Sequence, residues 1–293
     1  MLSQWIFATY NGFAMAMAVF LVAAGLTWVF GILKILNMAH GHFFMVGAYV
    51  ASSIFTRNAD SVWAYLGAAV AAAVVVGLLG WITDQVLFRR LRQVDHHYVL
   101  IGTFALLIFV EGLVKLVWGA DVSSVSAPAA LRGVIQIGGV VVPVFTGVVV
   151  VSGLLVFLLL DLVIHRTWTG KLMQSLASDP WMAGMLGINV PVLLTVSVVA
   201  SFVLAGLAGG LLLPMQSLQL GLGGAYLLPA FFAVIIGGLG NIRGAFIASV
   251  LLGLVGSFNA LLLPSLPGVA IYVALAVFLI AWPNGIFPPV STR

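Results

Sequence analysis

The chain contains no cysteine, and charged residues make up only 6% of its 293 residues. The absence of cysteine excludes disulfides and thiolate metal sites. Soluble domains carry about 25% charged residues, whereas this chain is 63% hydrophobic. No soluble fold could bury that much apolar surface, so the composition predicts an integral membrane protein with several spans.

The apolar runs are continuous and do not alternate every second residue, so helices are favoured over a closed barrel. We therefore predict an all-α polytopic membrane protein with one transmembrane domain over residues 1–293. The net charge of +4 lies near the ends of the runs, which indicates topology and excludes nucleic acid as a partner. Because no Lys or Arg precedes the first run, we expect it to be a retained span and not a signal peptide.

Nine apolar runs predict nine crossings of the lipid bilayer with the N-terminus outside. The basic clusters at residues 89–92 and 165–171, together with Arg243, mark the cytoplasmic side. Two runs are short and would be re-entrant if they do not span, so the prediction is eight or nine transmembrane or re-entrant helices. The runs are 5–33, 43–55, 62–82, 98–118, 144–164, 192–213, 225–240, 245–263 and 269–282. Inspection of the sequence identifies no inverted repeat.

Residues 134–142 form two β-prone stretches around a Gly-Gly turn, in the loop that precedes the fifth run. This pattern predicts a small hairpin on the outer face.

Glu111 and Lys115 lie four residues apart inside the fourth run, so they share a helical face and can pair with each other. Ionisable groups inside spans are candidates for function. Two interpretations stay open for Glu111: a structural ion pair with Lys115, or a role in the path of the transported substrate.

The residue patterns that proton transport, metal binding, ATP binding and catalysis require are absent from the sequence. No ladder of carboxylates and histidines crosses the membrane, which argues against a proton-driven carrier. His40 and His42 are expected to be interfacial histidines and not a metal site, because structural zinc needs four ligands. The phosphate-binding motif Gly-x-x-x-x-Gly-Lys-Ser/Thr does not occur, and no nucleophile-and-base set stands out. The chain is therefore predicted to be no enzyme and to hold no cofactor.

Small residues recur with a spacing of four, which lets helix backbones approach closely. This pattern indicates either packing within the bundle or an interface with a partner chain. The residues concerned are Gly206, Gly210, Gly240 and Gly244.

The segment 165–191 is the longest polar interruption that carries positive charge. Within it, Ser178, Asp179 and Pro180 form a helix start signal, and Gly187 can close the helix. The resulting short cytoplasmic helix over 178–187 would expose apolar side chains. Two interpretations remain: a helix resting on lipid headgroups, or a docking surface for a separate motor protein. Its residues are Ser178, Asp179, Pro180, Trp181, Met182, Ala183, Met185 and Gly187.

At these positions the sequence also resembles the permease subunits of ABC importers for branched-chain and other hydrophobic amino acids, the LivH-like group. Three stretches carry the resemblance. They are residues 25–31 (GLTWVFG) with 37–49 (NMAHGHFFMVGAY), residues 177–190 with ASD and LGINV, and residues 237–245 (GGLGNIRGA). The family often has Glu where this chain has His42, so any role of that position in the family is not carried over.

The resemblance implies a single permease domain over residues 1–293 in a bacterial cytoplasmic (inner) membrane. It implies a related second permease in a heterodimer or homodimer, two cytoplasmic ATPases that hold ATP and Mg²⁺, and a substrate-binding protein outside. The 178–187 helix would then couple to an ATPase. Asn37, His40 and Asn241, polar groups in breaks between apolar runs, are the predicted path residues besides Glu111. The alternative is a stand-alone secondary transporter or channel for a small polar solute.

Overall fold

The computed structural model describes residues 2–56, 60–92, 94–137, 139–266, 268–282 and 285–287. Its helices are α1 Leu2–Leu33, α2 His40–Phe55, α3 Val62–Thr83, α4 Arg89–Leu91, α5 His96–Trp118, α6 Val144–Arg166, α7 Trp168–Ser178, α8 Pro180–Met185, α9 Val190–Leu212, α10 Leu222–Gly237, α11 Ile242–Leu262 and α12 Val269–Ala281. A π-helical turn, Asp84–Phe88, joins α3 to α4. The strands are β1 Ser123–Ser124, β2 Val134–Ile137, β3 Val140–Pro143 and β4 Ser217–Leu218.

The prediction of a mainly helical membrane protein is confirmed. Over the described ranges, 6 helices are long and apolar enough to cross a bilayer. They are α1, α3 with its continuation to Leu91, α5, α6, α9 and α11. A crossing needs about 20 residues, and three further apolar helices are shorter than that. Helices α2 and α10 have 16 residues each, and α12 has 13. The count of eight or nine spans and the outer position of the N-terminus therefore stay predictions.

Four of the six long helices pack as two antiparallel pairs. The pair α1 and α11 brings Gly12 beside Leu254 and Gly31 beside Gly240, and the pair α3 and α9 brings Ala69 beside Gly210. Each pair joins the first helix of one unit, α1–α3 or α9–α11, to the third helix of the other. Because α1 ends where α9 begins, the two units run in opposite directions. The structure thus contains an inverted repeat that inspection of the sequence missed.

The predicted hairpin corresponds to an antiparallel ribbon in which Val134 of β2 lies opposite Pro143 of β3. Gly138, half of the predicted turn, lies outside the described residues, and Gly139 has a left-handed φ of 81°. That the ribbon lies on the outer side of the membrane stays a prediction. A second ribbon, β1 with β4, was not predicted, because its strands have two residues each and are far apart in sequence.

The four spaced glycines lie at contacts within the chain. A Cβ on Gly206 would come within 2.7 Å of the Ala72 carbonyl oxygen, and one on Gly240 within 2.6 Å of the Gly31 Cα. Gly210 lies against the backbone of α3, and Gly244 against the backbone of α10. Close approach of backbones at small residues is how membrane helices gain van der Waals contact.

Candidate functional site

The break between α1 and α2 turns the chain back into the bundle. Lys34 takes a left-handed φ of 57°, and the Asn37 side chain accepts a hydrogen bond of 3.0 Å from the Ala39 N–H. His40, the first residue of α2, is fully buried, and its Nε2 lies 3.2 Å from the carbonyl oxygen of Val22. Gly25 makes the room, since a Cβ there would lie 2.7 Å from the imidazole. The short helix α2 therefore starts beside the interior of α1, not at its end.

Within the described ranges, several buried polar atoms that have no hydrogen-bond partner lie around this break. They are Trp28 Nε1, Asn37 Nδ2, His40 Nδ1, His42 Nδ1, Tyr49 Oη and Ser201 Oγ. Each buried unsatisfied group costs about 1–3 kcal/mol, and native structures keep few of them. Their concentration on α1, α2 and the facing turn of α9 marks this region as the strongest candidate for a polar path through the bundle.

Polar and aromatic side chains continue along the contact between α2 and α5. We call His42, Tyr49 and Ser53 of α2 with Thr103, Glu111 and Trp118 of α5 the polar seam. At one end Thr103 Oγ1 lies 3.4 Å from the Leu36 carbonyl oxygen. In the middle His42 Nε2 lies 3.4 Å from Glu111 Oε2. At the other end the Trp118 indole donates a 2.8 Å hydrogen bond to Ser53, with the Trp118 ring 5.5 Å from the Tyr49 ring.

The proposed pairing of Glu111 with Lys115 is wrong. Both residues are described, and no ion pair joins them, whereas Glu111 contacts His42. The local spacing allowed the pair, but the packing of α5 on α2 turns the carboxylate towards the imidazole. The structural ion pair with Lys115 is thereby removed as an explanation of Glu111.

The predicted path residues do not form one cluster. Asn37 and His40 belong to the break, and Glu111 belongs to the polar seam. Asn241 begins α11, where its side chain accepts a 3.0 Å hydrogen bond from the Gly244 N–H. This bond gives Asn241 a capping function, while a function in the path stays a prediction for all four.

Two ion pairs hold helices together at the end of the bundle that carries the basic clusters. Asp84, fully buried, accepts hydrogen bonds from Arg92 and, at 2.6 Å, from Thr195 on α9. Burial lowers the pKa of the Arg92 guanidinium, and the negative charge of Asp84 opposes that shift. Asp161 on α6 receives two hydrogen bonds of 2.6 and 3.0 Å from Arg243 on α11. The sequence showed these arginines only as topology signals: the partner of Arg243 is 82 residues away, and the pairing of Arg92 with the nearer Asp84 was not predicted.

The segment 165–191 holds two helices, not one. α7 was missed, although Thr167 caps it at Gly170 N–H and Met173 and Leu176 give it a buried face. Ser178 is the last residue of α7, so the predicted helix over 178–187 is wrong at its start. Proline lacks an N–H and disfavours the helical region for the residue before it, and Asp179 accordingly has a φ of −150°.

α8 has the predicted caps. Asp179 Oδ1 accepts hydrogen bonds of 3.0 Å from the N–H groups of Trp181 and Met182. Gly187 ends the helix with a left-handed φ of 82°. Ala183 is buried, while Trp181, Met185 and Leu186 are 70%, 69% and 74% exposed. The segment is a short helix, capped at both ends, that presents three large apolar side chains to its surroundings.

Comparisons with known proteins agree over nearly the whole chain. The family described as "Branched-chain amino acid transport system / permease component" matches residues 8–282. The permease protein BraD of Pseudomonas aeruginosa is 32% identical over 85% of this chain and 84% of its own length. LivH of Escherichia coli K12 is 28% identical over 94% of this chain and 93% of its own. Both are named as permease proteins of high-affinity branched-chain amino acid transport systems.

A solved structure shares the architecture. PsaBC from Streptococcus pneumoniae, in complex with a Fab, matches 96% of this chain and 95% of the compared chain with a TM-score of 0.50. Its sequence identity is 18%, so the likeness extends to the fold alone.

Proposed function

The chain belongs to the family of permease components of branched-chain amino acid transport systems, and on this premise we propose that it is the membrane-spanning subunit of an ATP-driven importer. Its solutes would be branched-chain or related hydrophobic amino acids or small amides, and its location the cytoplasmic membrane of a bacterium. The observation that carries the proposal is the family match over residues 8–282.

The energy source is proposed to lie on other chains. The sequence has no Gly-x-x-x-x-Gly-Lys-Ser/Thr motif, and that motif holds the phosphates in P-loop ATPases. Two cytoplasmic ATPase subunits would bind ATP and Mg²⁺. A related second permease would complete the membrane part, and a binding protein outside would deliver the solute.

α8 is proposed to be the contact with an ATPase. Aromatic residues and Met are enriched in protein interfaces, and the exposed side chains of Trp181, Met182 and Met185 have this character. The caps at Asp179 and Gly187 fix the helix ends, so a force on α8 moves the segment as one body. These features support docking to a protein, because a helix that rests on lipid headgroups would not need fixed ends.

The neighbours of α8 suggest how its movement would reach the path. A cavity of about 380 Å³ is lined by Ser178 and Pro180 on one side and by Lys34 and Ile35 of the α1–α2 break on the other. A shift of α8 would therefore change the space beside the break. Because α2 begins at the end of that break, the shift would act on the helix that carries His42.

The test is purification of the tagged chain from its native membrane in a mild detergent, followed by reconstitution into liposomes. A second permease and ATPase subunits should co-purify, and uptake of radiolabelled leucine should require ATP and the outside binding protein. A matched preparation with the Walker lysine of the ATPase replaced serves as the control. A chain that purifies alone and moves leucine without nucleotide would support the secondary transporter or channel instead.

A further inference from the structure

Glu111 differs in its partners from the other two carboxylates that lie in candidate spans. Among the candidate spans within the described ranges, three contain a carboxylate. Asp84 has Arg92, and Asp161 has Arg243. Glu111 has no arginine or lysine within ion-pair distance there, and its contact is His42 alone. A carboxylate inside a span is costly, so its lack of a permanent cation requires an explanation.

The surroundings of Glu111 are half open. Its side chain is 40% exposed, whereas that of His42 is 5% exposed. Glu111 lies two helical turns, about 10 Å, from the end of α5 at Trp118, which places it within the apolar length of the helix. Ionisable groups at that depth face the bundle interior or a water-filled cavity. By this rule we expect the exposed part of the carboxylate to face a path and not lipid tails.

His42 is poised to bind a second group. Its Nε2 faces Glu111, and its buried Nδ1 has no hydrogen-bond partner among the described residues. Two turns along α2, the buried Tyr49 hydroxyl also lacks a hydrogen-bond partner in the described part of the chain, and the Tyr49 ring lies against Trp118. Aromatic faces attract cations. The seam thus combines one accessible carboxylate, one imidazole and two aromatic rings between otherwise apolar helices.

We propose that the polar seam is the site where the permease binds the zwitterionic head group of its solute, with Glu111 receiving the ammonium group and His42 donating a hydrogen bond to the carboxylate. This inference rests on the proposed import of amino acids and names the residues that recognise them.

The arrangement of the polar seam allows Glu111 and His42 to exchange each other for the solute as hydrogen-bond partner. Without a solute, the His42 imidazole lies against the Glu111 carboxylate, with Nε2 3.4 Å from Oε2. An arriving zwitterion enters between the two side chains. Its ammonium group then donates to Glu111, and its carboxylate accepts from His42, so that each side chain keeps a hydrogen-bond partner. No bond is made or broken and no net charge enters the membrane, because the zwitterion is neutral as a whole. The weak 3.4 Å contact is well suited to such an exchange, whereas a tight arginine pair would resist it.

The first experiment uses the unmodified complex of permease and ATPase subunits, without the outside binding protein. A carbodiimide labels accessible carboxyl groups, and mass spectrometry measures the labelling of Glu111. We expect leucine to slow this labelling at least threefold. 4-Methylpentanoate, which lacks the ammonium group, should not slow it, and 3-methylbutylamine, which lacks the carboxylate, should protect less than leucine. Asp121, in the loop after α5, is the control and should label equally in all four conditions.

The second experiment measures leucine taken up per ATP hydrolysed in liposomes with saturating, loaded binding protein. Glu111→Gln should lower this ratio at least tenfold, and Glu111→Asp, which keeps the charge, should recover part of it. Asp121→Asn should match the unchanged chain. Equal protection of Glu111 by leucine and 4-methylpentanoate, or an unchanged ratio in Glu111→Gln, would overturn the inference. Failure of the proposed function is distinct, since the unchanged complex would then show no ATP-dependent uptake.

Discussion

Gly41 of α2 and Gly223 of α10 face each other in the first turns of the two short helices, where a Cβ on Gly223 would lie 2.9 Å from the Gly41 carbonyl oxygen. This contact joins the two inverted units at corresponding positions, because each glycine is the second residue of its helix. The starts of α2 and α10 are therefore fixed by each other as well as by the long helices around them.

Replacing Gly223 by alanine should destabilise the protein. The added methyl group would meet backbone on α2, which cannot move aside without repacking, and overpacking of this kind costs about 1–3 kcal/mol. Thermal unfolding in detergent measures the loss. Gly224→Ala is the matched control, because no atom lies within 4 Å of a Cβ at that position. Equal midpoints for the two variants would show that the contact is not tight.

Gly187→Val should uncouple transport from ATP hydrolysis while the protein remains in the membrane. A β-branched residue disfavours the left-handed φ of 82°, although no neighbour blocks its side chain. The strain, about 1–3 kcal/mol, would open the end of α8. Uptake and stimulated ATPase activity of the reconstituted complex measure the effect. Gly184→Ala, inside α8 with its nearest neighbour at 3.9 Å, should leave both unchanged.

Asp84→Asn should lower stability much more than a surface change of the same kind. Removing the charge leaves the partly buried Arg92 without its anion, and breaking a buried pair costs about 3–5 kcal/mol. Chemical unfolding in mixed micelles measures this loss. Asp60→Asn is the comparison, because the exposed pair of Asp60 with Arg132, at 3.6 Å, is of a kind that contributes little. Similar losses in both variants would contradict the structural importance of the Asp84 pair.

Cysteine introduced at position 111 should react with a membrane-impermeant, positively charged thiol reagent. The chain has no cysteine of its own, so mass spectrometry of this chain locates every modification. If position 111 lines the proposed path, Glu111→Cys should react, and Gly112→Cys on a neighbouring face of α5 should react little. Equal rates at the two positions would show that α5 has no water-facing side at this depth.

The features that the sequence predicted well are local. The caps of α8 depend on Asp179, Pro180 and Gly187, which act on residues within one helical turn, so their types are sufficient evidence. The hairpin of β2 and β3 is equally local, since its strands are two residues apart.

The features that were missed depend on packing between distant residues. Glu111 contacts His42, which is 69 positions away in the sequence. The spacing of residues on α5 favoured Lys115 instead, because it is only four positions away. The Asp84 bond to Thr195 joins residues 111 apart. The inverted repeat is a relation between two sets of packed helices that are far apart in sequence, and inspection of the sequence found no similarity between them.

The crossed pairing of the two units also governs the order in which the protein can be completed during synthesis. α1 reaches its partner α11 only after more than two hundred further residues have been made, and α3 must wait for α9. Until then the small-residue faces of the first unit are open to the lipid, and α2, with two histidines, has no enclosing bundle. We therefore expect the first half of the nascent chain to need shelter from lipid until α9 and α11 have been made.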